Sequence, residues 1–138
     1  MYEGYSHLDN KKKIIYLTLL NKQKCGEVVE KIFYVLGDKK VKIKISEYKE
    51  TIGLKRLKEM KINIDKDFMI SLSDTKKIVD EITNGWNFLD FTFEGTQATV
   101  VKHHIDLEEE NLGYLYIEPK IKNKENLEKL WILVKSLI

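Results

Sequence analysis

The stretch KKIIYLTLL at Lys12–Leu20, followed by EVVEKIFYVL at Glu27–Leu36, decides the fold class of this chain. The first segment is a nearly continuous apolar run rich in β-branched and aromatic side chains, which predicts a buried strand. The second has apolar residues at helical spacing and is followed by Gly37, a common helix stop, so we favour a helix. A strand is the competing interpretation there, because Phe33–Val35 would also suit one. A strand that leads into a helix indicates a mixed α and β fold.

Four further elements are predicted between residues 41 and 85. Val41–Ile45 alternates apolar and lysine residues, which predicts a half-buried strand with a lysine-covered outer face. Thr51–Met60 is interpreted as a short inserted helix, although a glycine inside it weakens the pattern. Asp67–Leu72 predicts another strand, and a helix then starts with Ser73 as its N-cap and ends near Gly85.

The last third of the chain predicts three strands and a helix. Asn87–Glu94 alternates in polarity, Ala98–Asp106 follows a Gly-Thr turn, and Gly113–Glu118 is stopped by Pro119. Asn123 is the expected cap of a C-terminal amphipathic helix. The apolar stripe of that helix comprises Leu127, Leu130, Trp131, Val134, Leu137 and Ile138.

The predicted order of elements is β-α-β-(α)-β-α-β-β-β-α. Its first part has the β-α-β-β-α-β order of a ferredoxin-like split unit with a helical insertion. The remaining strands are expected to extend that sheet in antiparallel fashion, with the C-terminal amphipathic helix packed on one face. At 138 residues the chain has the length of one domain, so we expect residues 1–138 to form a single α+β domain.

Composition and cysteine usage indicate a soluble cytoplasmic protein. The apolar fraction is 43%, charged residues make up 33%, and no segment approaches the roughly 18 apolar residues of a membrane span. The first residues lack the basic and apolar regions of a secretory signal. Cys25 is the one cysteine, so no internal disulfide can form, as expected in a reducing compartment. Lysine supplies all but one of the 24 basic residues, which points to an AT-rich bacterial or phage genome.

The charges of this chain are segregated along the sequence. The formal net charge is only +2, yet residues 11–66 have an excess of nine positive charges and residues 67–118 an excess of eight negative charges. Such asymmetry suggests that one face recruits a charged partner. Because only Arg56 has the rigid fork used to read base edges, sequence-specific nucleic-acid recognition is disfavoured.

The acidic block is the stronger candidate for a binding site. Its acids fall in three consecutive β elements and their loops, close in sequence to aromatic residues. If those strands are neighbours, the acids form one patch around aromatic anchors, which suits the capture of a basic protein. The alternative is that these acids only pair with the basic half of the same fold. The predicted partner-binding residues are Trp86, Asp90, Glu94, Asp106, Glu108, Glu109, Glu110, Tyr114 and Tyr116.

The lysine-rich half provides a second hypothesis, a phosphate-binding surface for nucleic acid. Its lysines include a run at 11–13, two near the first helix and an alternating set on the strand after it. Tyr16 and Tyr48 lie near them but do not alternate with the lysines as in a single-strand binding platform. We therefore rank nucleic acid below a protein partner, and a solvated lysine face is the alternative.

Candidate chemistry is sparse. Cys25 lies at the expected start of the first helix beside lysines, an arrangement that lowers a thiol pKa, but no nucleophile signature surrounds it. His103 and His104 are neighbours on a strand and point to opposite faces, so they cannot both bind one metal without a bulge. The sequence contains neither a phosphate-binding glycine loop nor a Gly-x-Ser-x-Gly elbow. We therefore lean towards a non-catalytic protein without a cofactor or metal, and keep a small-ligand site or an unrecognised enzyme as the third hypothesis.

The leading hypothesis is a non-catalytic cytosolic protein that captures a basic partner through its acidic β region. Small α+β proteins with such a patch can inhibit basic enzymes such as nucleases, and a toxin-neutralising immunity protein is a concrete version. No membrane partner is expected. The oligomeric state stays open, because the apolar C-terminal stripe could pack on its own sheet or on a second subunit.

Overall fold

The computed structural model describes residues 2–48, 58–59, 61, 68–85, 89–95, 99–105 and 111–138. Within these residues the chain forms seven strands and three α-helices. The strands are β1 (Gly4–Asp9), β2 (Ile14–Leu19), β3 (Lys40–Tyr48), β4 (Phe68–Ser71), β5 (Leu89–Gly95), β6 (Thr99–Ile105) and β7 (Gly113–Pro119). The helices are α1 (Cys25–Val35), α2 (Leu72–Gly85) and α3 (Lys124–Leu137), and a short 3-10 turn (Lys22–Lys24) precedes α1.

The seven strands belong to one sheet, in the order β1-β2-β7-β6-β5-β3-β4. Every pair of neighbours in it is antiparallel. The consecutive strands β5, β6 and β7 occupy the centre as a meander, and the N-terminal hairpin β1-β2 continues the sheet beyond β7. The connection from β2 to β3 runs through α1. It crosses three strands of the sheet, since β7, β6 and β5 lie between β2 and β3.

The structure confirms an α+β fold in which the C-terminal helix packs on the sheet. The finer ferredoxin-like expectation is not confirmed. The order β2-α1-β3-β4-α2-β5 does match β-α-β-β-α-β, but β4 and β5 flank β3, whereas in a ferredoxin-like unit they would flank the first strand, β2. However, β2 and β3 are far apart, because the later strands fill the centre of the sheet instead of extending one edge.

The three helices pack on the same face of the sheet. Alternate side chains of the central strands are buried, such as Ile15, Leu17 and Leu19 in β2 and Leu115 and Ile117 in β7. These residues form one core cluster with the buried sides of the helices. Burying one such side chain contributes about 1.5–3 kcal/mol relative to leaving it exposed. The core therefore decides which face of the sheet carries the helices.

The observed ends of the helices agree in part with those predicted from the sequence. Asn123 caps α3 as predicted, because its side chain accepts a hydrogen bond from the backbone N–H of Asn126 at 2.8 Å. α2 begins at Leu72, one residue before the predicted cap Ser73. Gly37, just after α1, has a φ of 87°, the left-handed conformation that ends many helices. Among the residues that the structure describes, no helix is long and apolar enough to cross a membrane.

Three sequence predictions need comment. Glu27–Leu36 corresponds to most of α1, so the favoured helix is confirmed over the competing strand. The helix expected over Thr51–Met60 lies outside the described residues, except that residues 58–59 are helical. β1 is not apparent from the sequence, because Leu8 is its one hydrophobic residue that packs against the core.

Candidate functional site

The sheet face opposite α1, α2 and α3 is covered by none of these helices, and we call it the open face. Its side chains alternate along the strands with those of the core, and they are half-buried or exposed. The open face comprises Tyr5, His7, Ile14, Tyr16, Thr18, Lys42, Lys44, Thr92, Glu94, Tyr114, Tyr116 and Glu118.

Aromatic rings of β1, β2 and β7 form a row across one half of the open face. Tyr16 is the cross-strand partner of both His7 and Tyr116. Its ring stacks on that of His7 with centroids 6.1 Å apart and meets that of Tyr116 edge-on at 5.3 Å. Aromatic pairs of this kind contribute about 0.5–1.5 kcal/mol beyond their burial. Since Tyr116 is nevertheless 38% exposed, the row offers amphipathic surface to a partner.

A cavity of about 220 Å³ lies within this aromatic row, and we call it the tyrosine pocket. It is lined by Ile14, Tyr16, Tyr116 and Glu118, so three of its four residues are apolar or aromatic and the fourth is an acid. The carboxylate of Glu118 lies 2.9 Å from Nζ of Lys122. The volume is below the roughly 300–1,000 Å³ of pockets for drug-sized molecules. The tyrosine pocket therefore suits one long side chain better than a cofactor.

Glu94 and two lysines occupy the other half of the open face. The carboxylate of Glu94 lies 2.8 Å from Nζ of Lys120 and 3.4 Å from Nζ of Lys42. The hydrogen bond from Lys120, together with the charges of both lysines, holds the pKa of the Glu94 carboxyl below its usual value. For this predicted site residue, the geometry agrees with the alternative interpretation, in which the acid pairs with lysines of its own fold.

Two further acids, Glu47 and Asp90, are cross-strand partners at the end of the sheet where β3 and β6 finish. Strand register places Asp90 beside Glu47 on one side and His104 on the other, and His104 beside Tyr114. Like charges directly opposite each other on neighbouring strands destabilise a sheet. The acidic residues 106–110 directly follow the last residue of β6 in the chain. We use the name acidic end for Glu47, Asp90 and the acids of residues 106–110, the last of which are grouped by sequence position because they lie outside the described residues.

Four of the nine predicted site residues lie in the described part of the sheet. Glu94, Tyr114 and Tyr116 have side chains on the open face, and Asp90 occupies a register position aligned with Tyr114. All four lie on β5 or β7, with only β6 between them. The other five lie outside the described residues: Trp86, Asp106, Glu108, Glu109 and Glu110.

The residues that complete the tyrosine pocket come from β2. By sequence position Tyr16 belongs with the lysine-rich half, but in the sheet it pairs with Tyr116 from the acidic half. The relevant signal is the alternation of Ile14 and Tyr16 with buried Ile15 and Leu17. That signal is weak because both sets are largely apolar, so the segment resembles a strand buried on both faces.

Cys25 begins α1, as expected, but its thiol is fully buried. Burial, and secondly the negative charge of Asp80, raises the pKa of the Cys25 thiol to about 12 against an opposing effect of Lys22. Gly113 packs so closely on the sulfur that a Cβ at that position would overlap Sγ. Because a protonated and enclosed thiol is a poor nucleophile, the geometry does not favour a reactive role for Cys25.

His103 and His104 occupy adjacent positions on β6, which places them on opposite faces of the sheet. His103 is the cross-strand partner of the core residue Leu115, whereas His104 aligns with Asp90 and Tyr114. In the part of the chain that the structure describes, no group of three or more His, Cys, Asp or Glu side chains could hold a metal ion.

The lysines of the predicted nucleic-acid surface are dispersed over the fold. Residues 11–13 form the turn between β1 and β2, whereas Lys22 and Lys24 lie beyond the opposite end of β2. Lys42 and Lys44 lie on β3, four strand spacings from β2. At about 4.8 Å per spacing this separation is about 19 Å. Among the described residues, these lysines therefore do not make one continuous patch.

A larger cavity, of about 760 Å³, lies on the helix side of the molecule, and we call it the helix groove. It lies between α1, the junction of β4 with α2, and α3, and its apolar lining includes Tyr34, Leu72 and Leu133. Its volume falls within the range of small-molecule pockets. The groove is shallow, since Tyr34 is 73% exposed, and Cys25 does not line it.

Comparison of the chain with protein-family models, with curated proteins and with solved structures gave no match. The surfaces of the molecule are therefore the basis for assigning a function. Two of them have a shape and composition that suit a ligand: the tyrosine pocket with the surrounding open face, and the helix groove.

Proposed function

We propose that this chain is a non-catalytic cytosolic protein that binds a basic protein partner through the open face. The observation that carries the proposal is the tyrosine pocket, in which two tyrosine rings, an isoleucine and a carboxylate surround about 220 Å³. A lysine or arginine side chain combines an apolar stem with a cationic head, so it matches both parts of this lining. Aromatic pockets of this kind are typical sites of binding hot spots.

Glu118 is the electrostatic partner of that cationic head. In the free protein its carboxylate pairs with Lys122, whose side chain is 46% exposed. An exposed ion pair contributes at most about 1 kcal/mol, so a partner cation can replace it at little cost. A cation held over the rings of Tyr16 or Tyr116 gains about 0.5–2 kcal/mol in addition. The pocket therefore favours an incoming cation over the resident lysine.

The acidic end supplies the long-range attraction in this proposal. Asp90 and Glu47 are cross-strand partners, and residues 106–110, which follow β6 in the sequence, contain four further acids. Negative potential of this kind raises the association rate of a basic protein and makes it dependent on salt. We therefore expect the acidic end to determine the rate of association and the tyrosine pocket to determine the rate of dissociation.

An inhibitor of a basic enzyme is the concrete form of this function. Nucleases bind polyanions and therefore present cationic surfaces, which an acidic and aromatic face can cover. A bacterial immunity protein that neutralises a nuclease toxin in the cytosol fits this description. Such a protein acts by occupying the partner's surface, so it needs no catalytic residue, metal or cofactor of its own.

The first experiment is affinity capture from a lysate of the source cells at low and moderate salt, with bound protein and nucleic acid both identified. The proposal expects one basic protein in stoichiometric amount, held less tightly at higher salt. Recovery of mixed nucleic acid would instead favour the lysine-rich half, and the proposal would be wrong.

Affinity measurements with the captured partner then test the pocket. Tyr116→Ala is expected to weaken binding at least about tenfold, since truncation of a hot-spot residue typically costs 2 kcal/mol or more. Glu118→Gln is expected to weaken it as well while leaving the fold intact. Tyr34→Ala is the matched control, because Tyr34 is exposed on α1, on the other side of the sheet. Equal affinities for Tyr116→Ala and Tyr34→Ala would exclude the tyrosine pocket.

Charge reversal tests the acidic end separately. The variant E109K/E110K is expected to slow association and to reduce its salt dependence. The variant E30K/E125K changes the net charge by the same amount on α1 and α3, on the helix side of the sheet, and is expected to have a much smaller effect. An unchanged association rate with E109K/E110K would show that the acidic end does not attract the partner. The tyrosine pocket would still be tested by the Tyr116 and Glu118 variants.

A second candidate function is the binding of a small amphipathic molecule in the helix groove. The observation in its favour is the volume of about 760 Å³ together with apolar walls and two lysines, Lys31 and Lys39. A thermal-shift screen against metabolites and cofactors tests it, because a ligand that binds the native state raises the midpoint of unfolding. The shift must disappear in Leu133→Asp; a flat response to the whole panel would exclude this function.

A further inference from the structure

We infer that strand β1 pairs with β1 of a second copy, which joins two seven-stranded sheets into one. The occupant of this edge is thus another molecule of the same chain, related by a two-fold axis perpendicular to the sheet. This inference concerns the edge of the sheet and does not depend on the partner proposed for the open face. It is carried by the hydrogen-bonding pattern of β1, by the residues of that strand and by the stripe of α3 beside it.

Among the strands that the structure describes, none pairs with the outer edge of β1, so the outward backbone groups of that strand are available for a further strand. The carbonyls of Glu3 and Asp9 accept hydrogen bonds from the β2 side, from Leu20 at 3.0 Å and Lys13 at 2.9 Å. Since the direction of backbone groups alternates in an antiparallel pair, the odd-numbered residues of β1 face β2 and the even-numbered ones face away. The N–H of Tyr2 follows this rule, because it donates outward to the carbonyl of Leu137 at 2.7 Å. Three consecutive outward positions follow Tyr2 on β1: Gly4, Ser6 and Leu8.

The sequence of β1, GYSHLD, lacks most of the devices that prevent edge pairing, since its one acidic residue, Asp9, is the last residue of the strand. Natural edge strands are commonly protected by lysine, proline, a bulge or a very short length. β1 has six residues, no lysine or proline, and an uninterrupted register with β2. The opposite edge, β4, is shorter at four residues, and its neighbour β3 carries lysines. The N-terminal edge is therefore the one suited to pairing.

A two-fold axis through Ser6 satisfies the outward groups of Gly4, Ser6 and Leu8 at once. Ser6 then pairs with Ser6 of the other copy, and Gly4 with Leu8 in both directions, each as a hydrogen-bonded pair. The same register sets Tyr5 opposite His7 of the second copy in a non-hydrogen-bonded pair, where side chains come closest. Both residues lie on the open face and are exposed, Tyr5 by 69%. The aromatic row of one copy is thereby continued into that of the other.

The position of helix α3, on the face of the sheet opposite the open face, is consistent with the same two-fold axis. Its C-terminal end lies beside Tyr2, and its N-terminal end shares a cavity of about 200 Å³ with Leu8 and Asn10. α3 thus runs antiparallel to β1, with half-buried Trp131 at the middle of the helix and lining that cavity. A two-fold axis through Ser6 brings the middle of α3 towards its counterpart in the second copy.

The charges on this side of α3 are complementary under that symmetry. Glu128 lies three residues before Trp131 and Lys135 four residues after it, which puts all three side chains on one stripe. Lys135 lies over the ring of Trp131, 5.8 Å from its centroid. Because the two helices run in opposite directions, Glu128 of each copy is directed towards Lys135 of the other. An isologous interface needs this kind of self-complementarity.

Light scattering coupled to size exclusion tests the dimer on the full chain. The expected mass is about 33 kDa, twice the 16.3 kDa of one chain, over a range of loading concentrations. Ser6→Pro removes an outward N–H without affecting the bonds to β2, and Tyr5→Lys places like charges close to the axis. Both variants are expected to be monomers with unchanged far-UV circular dichroism. The matched control Tyr34→Lys is expected to remain a dimer.

Disulfide trapping tests the register. A mixture of Tyr5→Cys and His7→Cys chains is expected to form a covalent dimer under mild oxidation, since a non-hydrogen-bonded pair has Cα atoms about 4.5 Å apart, within reach of a disulfide. Either variant alone is expected to cross-link far less, and buried Cys25 does not take part. A monomeric wild-type chain at millimolar concentration, or a dimer that survives Ser6→Pro and Tyr5→Lys, would overturn the inference.

Discussion

The buried thiol of Cys25 gives the sharpest quantitative prediction, which is its resistance to a thiol reagent in the native protein. The sulfur is fully buried, Gly113 packs directly on it, and burial raises the pKa of the thiol to about 12 from its ordinary value of 9.0. Reagents such as Ellman's disulfide react with the thiolate, so the rate follows the ionised fraction.

The expected protection follows from these two pKa values. At pH 8 a thiol with a pKa of 9 is about one-tenth ionised, whereas one with a pKa of 12 is ionised to about one part in 10⁴. Native Cys25 should therefore react about 10³-fold more slowly than an exposed thiol, before any further protection by steric exclusion. In strong urea the same cysteine should react at the rate of a free thiol.

Stopped-flow labelling at pH 8 measures this protection. The matched control is Ile132→Cys in a Cys25→Ala background, because position 132 is 60% exposed on α3. A native Cys25 that reacts within tenfold of this control would refute the reasoning and restore the reactive-thiol hypothesis. The pH dependence of the free energy of unfolding provides a second check. Because folding raises the pKa of the Cys25 thiol, the contribution of this thiol to stability is complete below about pH 9 and is lost as the pH rises towards 12.

Three further predictions concern stability. Gly113→Ala should destabilise the protein by about 1–3 kcal/mol in urea unfolding, because the new methyl group overlaps the sulfur of Cys25; an unchanged midpoint would show that the two residues are not in contact. Glu94→Gln should cost less than about 1 kcal/mol at neutral pH, and since Lys120 lowers the pKa of the Glu94 carboxyl, the difference from wild type should vanish as the pH falls below 4.5. Asn123→Ala should cost about 0.5–2 kcal/mol through loss of the helix cap, with Asn123→Asp as the tolerated control; equal losses in both variants would contradict a capping role.

Most elements of the fold could be predicted from local sequence, because their signals are local. The helix at Glu27–Leu36, the alternating strand at Val41–Ile45 and the cap at Asn123 each depend on residues within one or two turns. β1 could not be predicted, since an edge strand with one core-facing side has little apolar pattern to detect. Its position follows from pairing with β2 and from the contact of Tyr2 with α3, both of which are properties of the folded chain.

The sheet order and the candidate site were predictable only in part. Tyr114, Tyr116, Asp90 and Glu94 are close in sequence, and adjacency of consecutive antiparallel strands was sufficient to group them. Tyr16 could not be added to that group, because its neighbour in the sheet is separated from it by about a hundred residues. Nothing in the local pattern of β2 specifies β7 as its partner. Selection of that partner depends on the packing of the whole core.

The pairing of β2 with β7 also affects how the protein is made. Ile15 has its cross-strand partner at Ile117, so the N-terminal hairpin leaves the ribosome long before the strand that it must join. Contacts between segments this distant in sequence slow folding. During translation the apolar side of β2 therefore stays exposed until β7 has been synthesised, and the nascent chain is vulnerable to aggregation and to chaperone capture throughout that interval. The seam between β2 and β7 is expected to close late in folding.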